Sequence, residues 1–157
     1  MAANLTLLAG NSAIVMPAIQ SMFLGYLIRD SVINGIKENG YAAGTDVLNY
    51  FSDNGLFNYD YGLYSAGYAE LTPKAKSKEG ALKNRREGSI LMSDSGGFQV
   101  GCGHWTPRKY SLLRENILRW QESISDIAIA MDVPTFAADL TKAKYVNSYE
   151  DCVTWSM

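Results

Sequence analysis

The sequence predicts an α/β fold on parallel strands, in the pattern of the N-terminal half of a TIM-type (β/α)8 barrel. Three observations predict it. Ser89 to Met92 is a short apolar run followed by Asp94-Ser95-Gly96-Gly97, so a buried strand hands a carboxylate to a glycine loop. A helical repeat comes next, with Leu113, Ile117, Trp120 and Ile124 on one face. A second apolar run, Asp126 to Met131, then closes on Asp132, so strand, helix and strand alternate and the same residue type ends both strands. In a barrel, the carboxyl ends of the strands form the functional face.

With 157 residues, 47% hydrophobic and 19% charged, the chain has the composition of one globular domain able to bury a core. A full barrel takes roughly 250 residues, and candidate strands near Leu5, Gly62, Ser89 and Asp126 make about half of its eight. Residues 1–157 therefore read as a partial barrel domain, truncated at the C-terminus or split from its second half.

Met1 to Ile28 carries no charged side chain. It has no basic leader, however, and Asn11, Ser12, Pro17, Gln20 and Ser21 interrupt the roughly 18 apolar residues that a spanning helix needs, so no membrane association is expected. Leu5 to Leu8 is a candidate first strand. Pro17 is placed to start a buried amphipathic helix, on which Ile19, Phe23, Tyr26, Ile33 and Ile36 recur near helical spacing before Asn39-Gly40. Thr45 to Phe51 reads as a short helix with Thr45 as its cap, Asp46 in the first turn and a stop at Asn54-Gly55.

Asn58 to Tyr68 carries Tyr59, Tyr61, Tyr64 and Tyr68 with Gly62 and Gly67, which suits a strand with a tight exit. Its tyrosines serve either core packing or stacking on a base. Beyond the glycine loop, Thr106-Pro107 and Ser111 lead into the helix, which should pack outside the sheet. Asp126 to Met131 is apolar on both faces, as a strand inside a parallel sheet would be. In the tail from Lys142 to Met157, Val146, Tyr149, Cys152 and Val153 recur at helical spacing with no glycine or proline stop, so a helix is expected to run to the end.

A net charge of −2 gives no global attraction to nucleic acid. Thr72 to Gly88 is the exception, with Lys74, Lys76, Lys78, Lys83, Arg85 and Arg86 against Glu79 and Glu87, a net of +4. Such a segment is either a phosphate-contacting loop or a solvated one. Cys102 and Cys152 are far apart and form no disulfide framework, which suits a reducing, cytoplasmic location. Cys102-Gly103-His104 falls short of a structural zinc set and reads as a loop.

Asp94-Ser95-Gly96-Gly97-Phe98-Gln99-Val100 resembles the DSGG(F/Y)Q signature of the tRNA-guanine transglycosylases, and SDIAIAMDVPT, from Ser125 to Thr135, resembles a second stretch of that family in the same order. An Asp-Ser-Gly loop alone is as readily a plain turn whose aspartate caps backbone amides. Taken together, the two segments resemble this family over Gly88 to Thr135. The resemblance implies an enzyme that exchanges guanine in tRNA or DNA for a 7-deazaguanine base without cutting the phosphate backbone. One carboxylate attacks the sugar carbon and a second handles the proton of the departing or arriving base. It implies Asp94 as that acid/base group, with Ser95, Gly96, Gly97 and Phe98 lining the base pocket and Asp132 receiving the donor edge of the base.

The family's nucleophilic aspartate and zinc ligands would lie beyond these residues, so no cofactor or metal is expected here. The implied partners are nucleic acid, guanine or a 7-deazaguanine base, and a C-terminal half on another chain or a second copy of this one. Bacterial tRNA enzymes carry Glu-Cys after the second aspartate. Here Val133-Pro134 follow Asp132, which is more similar to archaeal relatives and to DNA-modifying relatives encoded by phage in a bacterial host. A non-catalytic, base-binding remnant of the family is the alternative.

Overall fold

In the computed structural model, residues 13–19, 23–25, 34, 38, 48–53, 55–69, 82, 85–139 and 146–156 are described. They form an α/β structure around a four-stranded sheet: β1 (Ala18–Ile19), β2 (Tyr61–Ser65), β3 (Ile90–Asp94) and β4 (Ile127–Ala128), in that order. Every neighbouring pair is parallel. Among the described residues the sheet stays open, with β1 and β4 at its edges. Ser65 and Asp94 are register partners, so the two inner strands reach the same end of the sheet together.

Two helices follow β3. The first, α1 (Gly97–Gly101), is a single short turn that the apolar pattern did not predict. The second, α2 (Pro107–Ile124), is the expected helix. Thr106 caps it by accepting the Lys109 N–H at 3.0 Å, and Pro107 occupies the first turn, where its missing N–H costs nothing. Its inner face buries Ile117, Trp120 and Ile124, and the Trp120 ring lies 5.8 Å from that of Tyr64 on β2. Leu112 and Leu118 point outward and are exposed.

Polar bonds then fix α2 to the strands. The Gln121 side chain donates from Nε2 to Ile129 O at 3.0 Å, and Ser93 Oγ donates to Ser125 Oγ at 2.8 Å. Asp126 clamps the start of β4: its Oδ2 accepts the Leu91 N–H at 2.9 Å and Arg85 Nη2 at 2.6 Å. Arg85 also donates to the carbonyls of Leu82 and Ile124, and Arg86 pairs with Asp60. Two cations of the basic segment are thus held by the fold. The lysines of that segment lie outside the described residues, as does the candidate strand at Leu5 to Leu8.

Three sequence expectations need correction. Pro17 does not start a helix: Ala18–Ile19 is strand, and helical backbone is found at Phe23–Gly25 and at Asn34 and Glu38. A proline fixes φ but not ψ, so it is as compatible with an edge strand as with a helix start. Of Thr45 to Phe51, residues 45–47 lie outside the described residues, Leu48 is 3-10 helical, and the chain turns at Tyr50 and Phe51, where Asn49 Oδ1 takes the Phe51 N–H at 3.1 Å and offers the backbone a local alternative to helix. Asp126 to Met131 is a strand only over Ile127–Ala128, and Ala128, Ile129 and Ala130 are exposed. The apolar composition was right for a buried strand, but β4 sits at an edge. The tail helix, α3 (Tyr149–Ser156), begins after Val146, which is buried ahead of it.

Asp126→Ala is expected to lower unfolding stability by about 2–4 kcal/mol, since it leaves a largely buried guanidinium and a strand N–H without their shared acceptor. Asp126→Asn keeps an acceptor for Leu91 and should lose less. Urea unfolding of both variants checks the order, and equal losses would show that the Leu91 bond contributes nothing.

Candidate functional site

The site is built at the carboxyl ends of β2 and β3, where the backbone turns sharply. Asp94 is the last residue of β3 and is half-buried. Its Oδ1 accepts the Ser65 hydroxyl at 2.6 Å and the Gly96 N–H at 2.8 Å. Ser65 in turn accepts the Gly67 N–H at 3.1 Å, so the turn after β2 and the turn after β3 are tied to one carboxylate oxygen. Both of these described bonds fall on Oδ1.

Gly96 has φ +76°, a left-handed conformation that a side chain resists, and it is the cap residue of α1. Gly97 is needed for a different reason. A Cβ there would lie 1.3 Å from the Asp132 carbonyl oxygen, so the first residue of α1 rests directly on the backbone that follows β4. Ser95, between Asp94 and these glycines, is fully buried. Its Oγ donates to Asp132 Oδ1 at 3.2 Å and accepts from the Asp132 N–H at 3.3 Å and the Tyr110 hydroxyl at 3.1 Å.

Asp94, Phe98 and Gln99 line a cavity of about 180 Å³ together with Ala18, Ile19, Leu63, Ser65 and Tyr68. That is below the usual range for drug-sized ligands. Phe98 is half exposed, with its ring 5.7 Å from that of Phe136. Tyr68 is the member of the tyrosine-rich segment that lines the cavity, whereas Tyr64 is buried in the core. Gln99 is 6% exposed, its Oε1 has no hydrogen-bond partner among the described residues, and its amide lies against Gly67.

Asp132 stands apart from this cavity. It is exposed and is not among the lining residues, although Ser95 connects it to the loop. The sequence places both aspartates at equivalent stations, on adjacent parallel strands, facing one pocket. The strands are adjacent and parallel, but β4 leaves the sheet after Ala128 and carries Asp132 four residues further, under Gly97. Two of the six candidate residues, Asp94 and Phe98, therefore line the cavity, while Ser95, Gly96, Gly97 and Asp132 form the structure beside it.

Residues outside the candidate set also build the site. Ser65 is legible only through strand register, which no local pattern reveals. Gln99 lies inside the quoted motif, and its burial follows from its place on the inner side of α1. Burial pushes the Tyr110 phenol up, the nearby Asp132 charge adds to the rise, and the hydrogen bond with Ser95 opposes it.

No protein-family model, curated protein or solved structure matches this chain. Among the described residues no group of three or more His, Cys, Asp or Glu side chains could hold a metal ion. Among them, too, no helix is long and apolar enough to cross a membrane.

Gly97→Ala is expected to cost about 3 kcal/mol, because backbone rather than a pliable side chain must move. Gly96→Ala should cost about 1–2 kcal/mol, chiefly from its left-handed backbone. Thermal unfolding of the two variants measures the difference. A Gly97→Ala loss no larger than that of Gly96→Ala would show that the loop and the Asp132 backbone are not in contact.

Proposed function

We propose that this chain carries the base-recognising part of a nucleic-acid transglycosylase, which exchanges guanine for a 7-deazaguanine base in tRNA or DNA. The observation that carries the reading is the position of Asp94. It is a half-buried carboxylate at the carboxyl end of an inner parallel strand, on the wall of a cavity of about 180 Å³, and a glycine loop follows it. In this reading the sheet is the N-terminal half of a (β/α)8 barrel. Its sequential strand order supports that, since each crossover in such a barrel advances by one strand.

Asp94 serves as the general acid and base. When the glycosidic bond breaks, its electron pair goes to the base nitrogen, and the departing guanine gains a proton from the carboxyl group. The arriving base later returns a proton to the same group, so one residue serves both half-reactions. The sugar carbon is meanwhile held by a carboxylate nucleophile, which the family resemblance assigns to none of these residues. Phe98 offers an exposed ring face at the cavity for stacking. Asp132 accepts N–H donors from the base edge through its exposed carboxylate.

A non-catalytic base-binding remnant is the second reading, and the lack of an assignable nucleophile among these residues favours it.

The test has two parts. Equilibrium dialysis of the chain against radiolabelled guanine should show binding that Asp132→Ala abolishes. With the segment supplying the nucleophile added, label should enter tRNA or DNA, and Asp94→Asn should slow that exchange by about 100-fold or more. Binding without exchange supports the remnant; near-normal exchange by the Asn variant removes Asp94 from its role.

A further inference from the structure

The helix α2 carries a side chain whose polar end belongs to the candidate site. Tyr110 extends the apolar face of α2 by one step, three residues before Leu113, and is fully buried. Its backbone N–H donates to the Thr106 carbonyl at 3.0 Å, so the helix cap fixes the height of its ring. Trp105 flanks that ring at 6.2 Å between centroids. The hydroxyl then reaches across to Ser95 rather than to solvent.

Hydrogen counting fixes the direction of each bond. A serine hydroxyl has one proton and two lone pairs. An ionised Asp132 can only accept, so the Ser95 proton must point to Asp132 Oδ1. The backbone N–H of Asp132 can only donate, which takes one Ser95 lone pair. Tyr110 must therefore donate into the other lone pair. Ser95 thus meets two atoms of Asp132 and one of Tyr110, and the Asp132 N–H is shared with the Tyr110 hydroxyl. The described bond to the Asp132 side chain falls on Oδ1, and the residue is exposed.

We propose that Tyr110 is a positioning residue for Asp132: through Ser95 it fixes one carboxylate oxygen and thereby aims the other at an N–H donor of a bound base. The ligand assignment rests on the base-binding reading above, whereas the positioning itself does not. Donation from Tyr110 polarises the Ser95 hydroxyl and strengthens its bond to Asp132, as successive hydrogen bonds in a buried chain do. Without the phenol proton, Ser95 can rotate its hydroxyl away, and Asp132 loses its fixed orientation.

Tyr110→Phe keeps the ring and removes only the hydroxyl. In the ligand-free chain, nuclear magnetic resonance should show the Asp132 amide proton and carboxyl carbon shifted, with Ile117 on the same helix unmoved. Radiolabelled guanine should bind about fivefold more weakly, the loss of roughly one hydrogen bond. Ser95→Ala should shift the same Asp132 signals and weaken binding further, and Tyr110→Phe should add nothing in the Ser95→Ala background. Unchanged Asp132 resonances in a folded Tyr110→Phe variant would overturn the positioning role. If Tyr110→Phe unfolds the chain, Ser95→Ala decides the same question from the middle of the relay. Shifted Asp132 resonances with guanine binding insensitive to Asp132→Ala would retain the positioning role and overturn the base-edge assignment instead.

Discussion

The contact between Gly97 and the Asp132 backbone is the constraint on which the rest of the site depends. With no side chain at Gly97, the first turn of α1 settles onto the segment that leaves β4. That approach brings Ser95 within hydrogen-bond distance of both the amide and the carboxylate of Asp132. It also holds the other end of the loop, where Gly96 in its left-handed conformation directs its N–H to Asp94. Asp94, at the end of β3, and Asp132, four residues beyond β4, are thereby tied together by three consecutive small residues.

The sheet imposes a second constraint. Parallel strands are ordinarily covered on both faces, and β4 is not. Ala128 and Ile129 are exposed, and β4 is an edge whose outer backbone groups lack a neighbouring strand among the described residues. Side chains on either flank add to its backbone pairing with β3. Asp126 adds an acceptor for Leu91 ahead of the strand, and Gln121 adds a donor for Ile129 behind it. They reinforce the backbone bonds that flank the strand, from Asp126 N to Leu91 O at 2.9 Å and from Ile129 N to Ser93 O at 2.8 Å.

Much of this architecture was legible in the sequence because apolar periodicity is a local signal. The spacing of Leu113, Ile117, Trp120 and Ile124 specified α2, and Thr106-Pro107 specified its start. The run after Gly88 specified β3, and the parallel pairing followed from the intervening helix. The N-terminal expectations failed where local rules compete. Pro17 fits two backbones equally well, and Asn49 closes a turn with its own side chain. Asp132 failed for a longer-range reason: its distance from the cavity depends on where β4 stops, which is decided by edge pairing and not by the composition of residues 126–131. Tyr110 and Ser65 carry no local signal at all, since their importance lies in partners 15 and 29 residues away.

The two serines explain how the carboxylates can differ in surroundings and still be held alike. Ser65 donates to Asp94 Oδ1 and accepts a backbone N–H, and Ser95 does the same for Asp132. Among the described residues neither aspartate is in an ion pair, whereas Asp60 and Asp126 both pair with arginines. The structural aspartates are therefore neutralised and the loop aspartates are only oriented. A hydroxyl fixes a carboxylate oxygen without cancelling its charge, because it supplies a dipole and not a cation. Serine-held and arginine-held aspartates are thus distinguished by their partners alone, independently of the glycine motif.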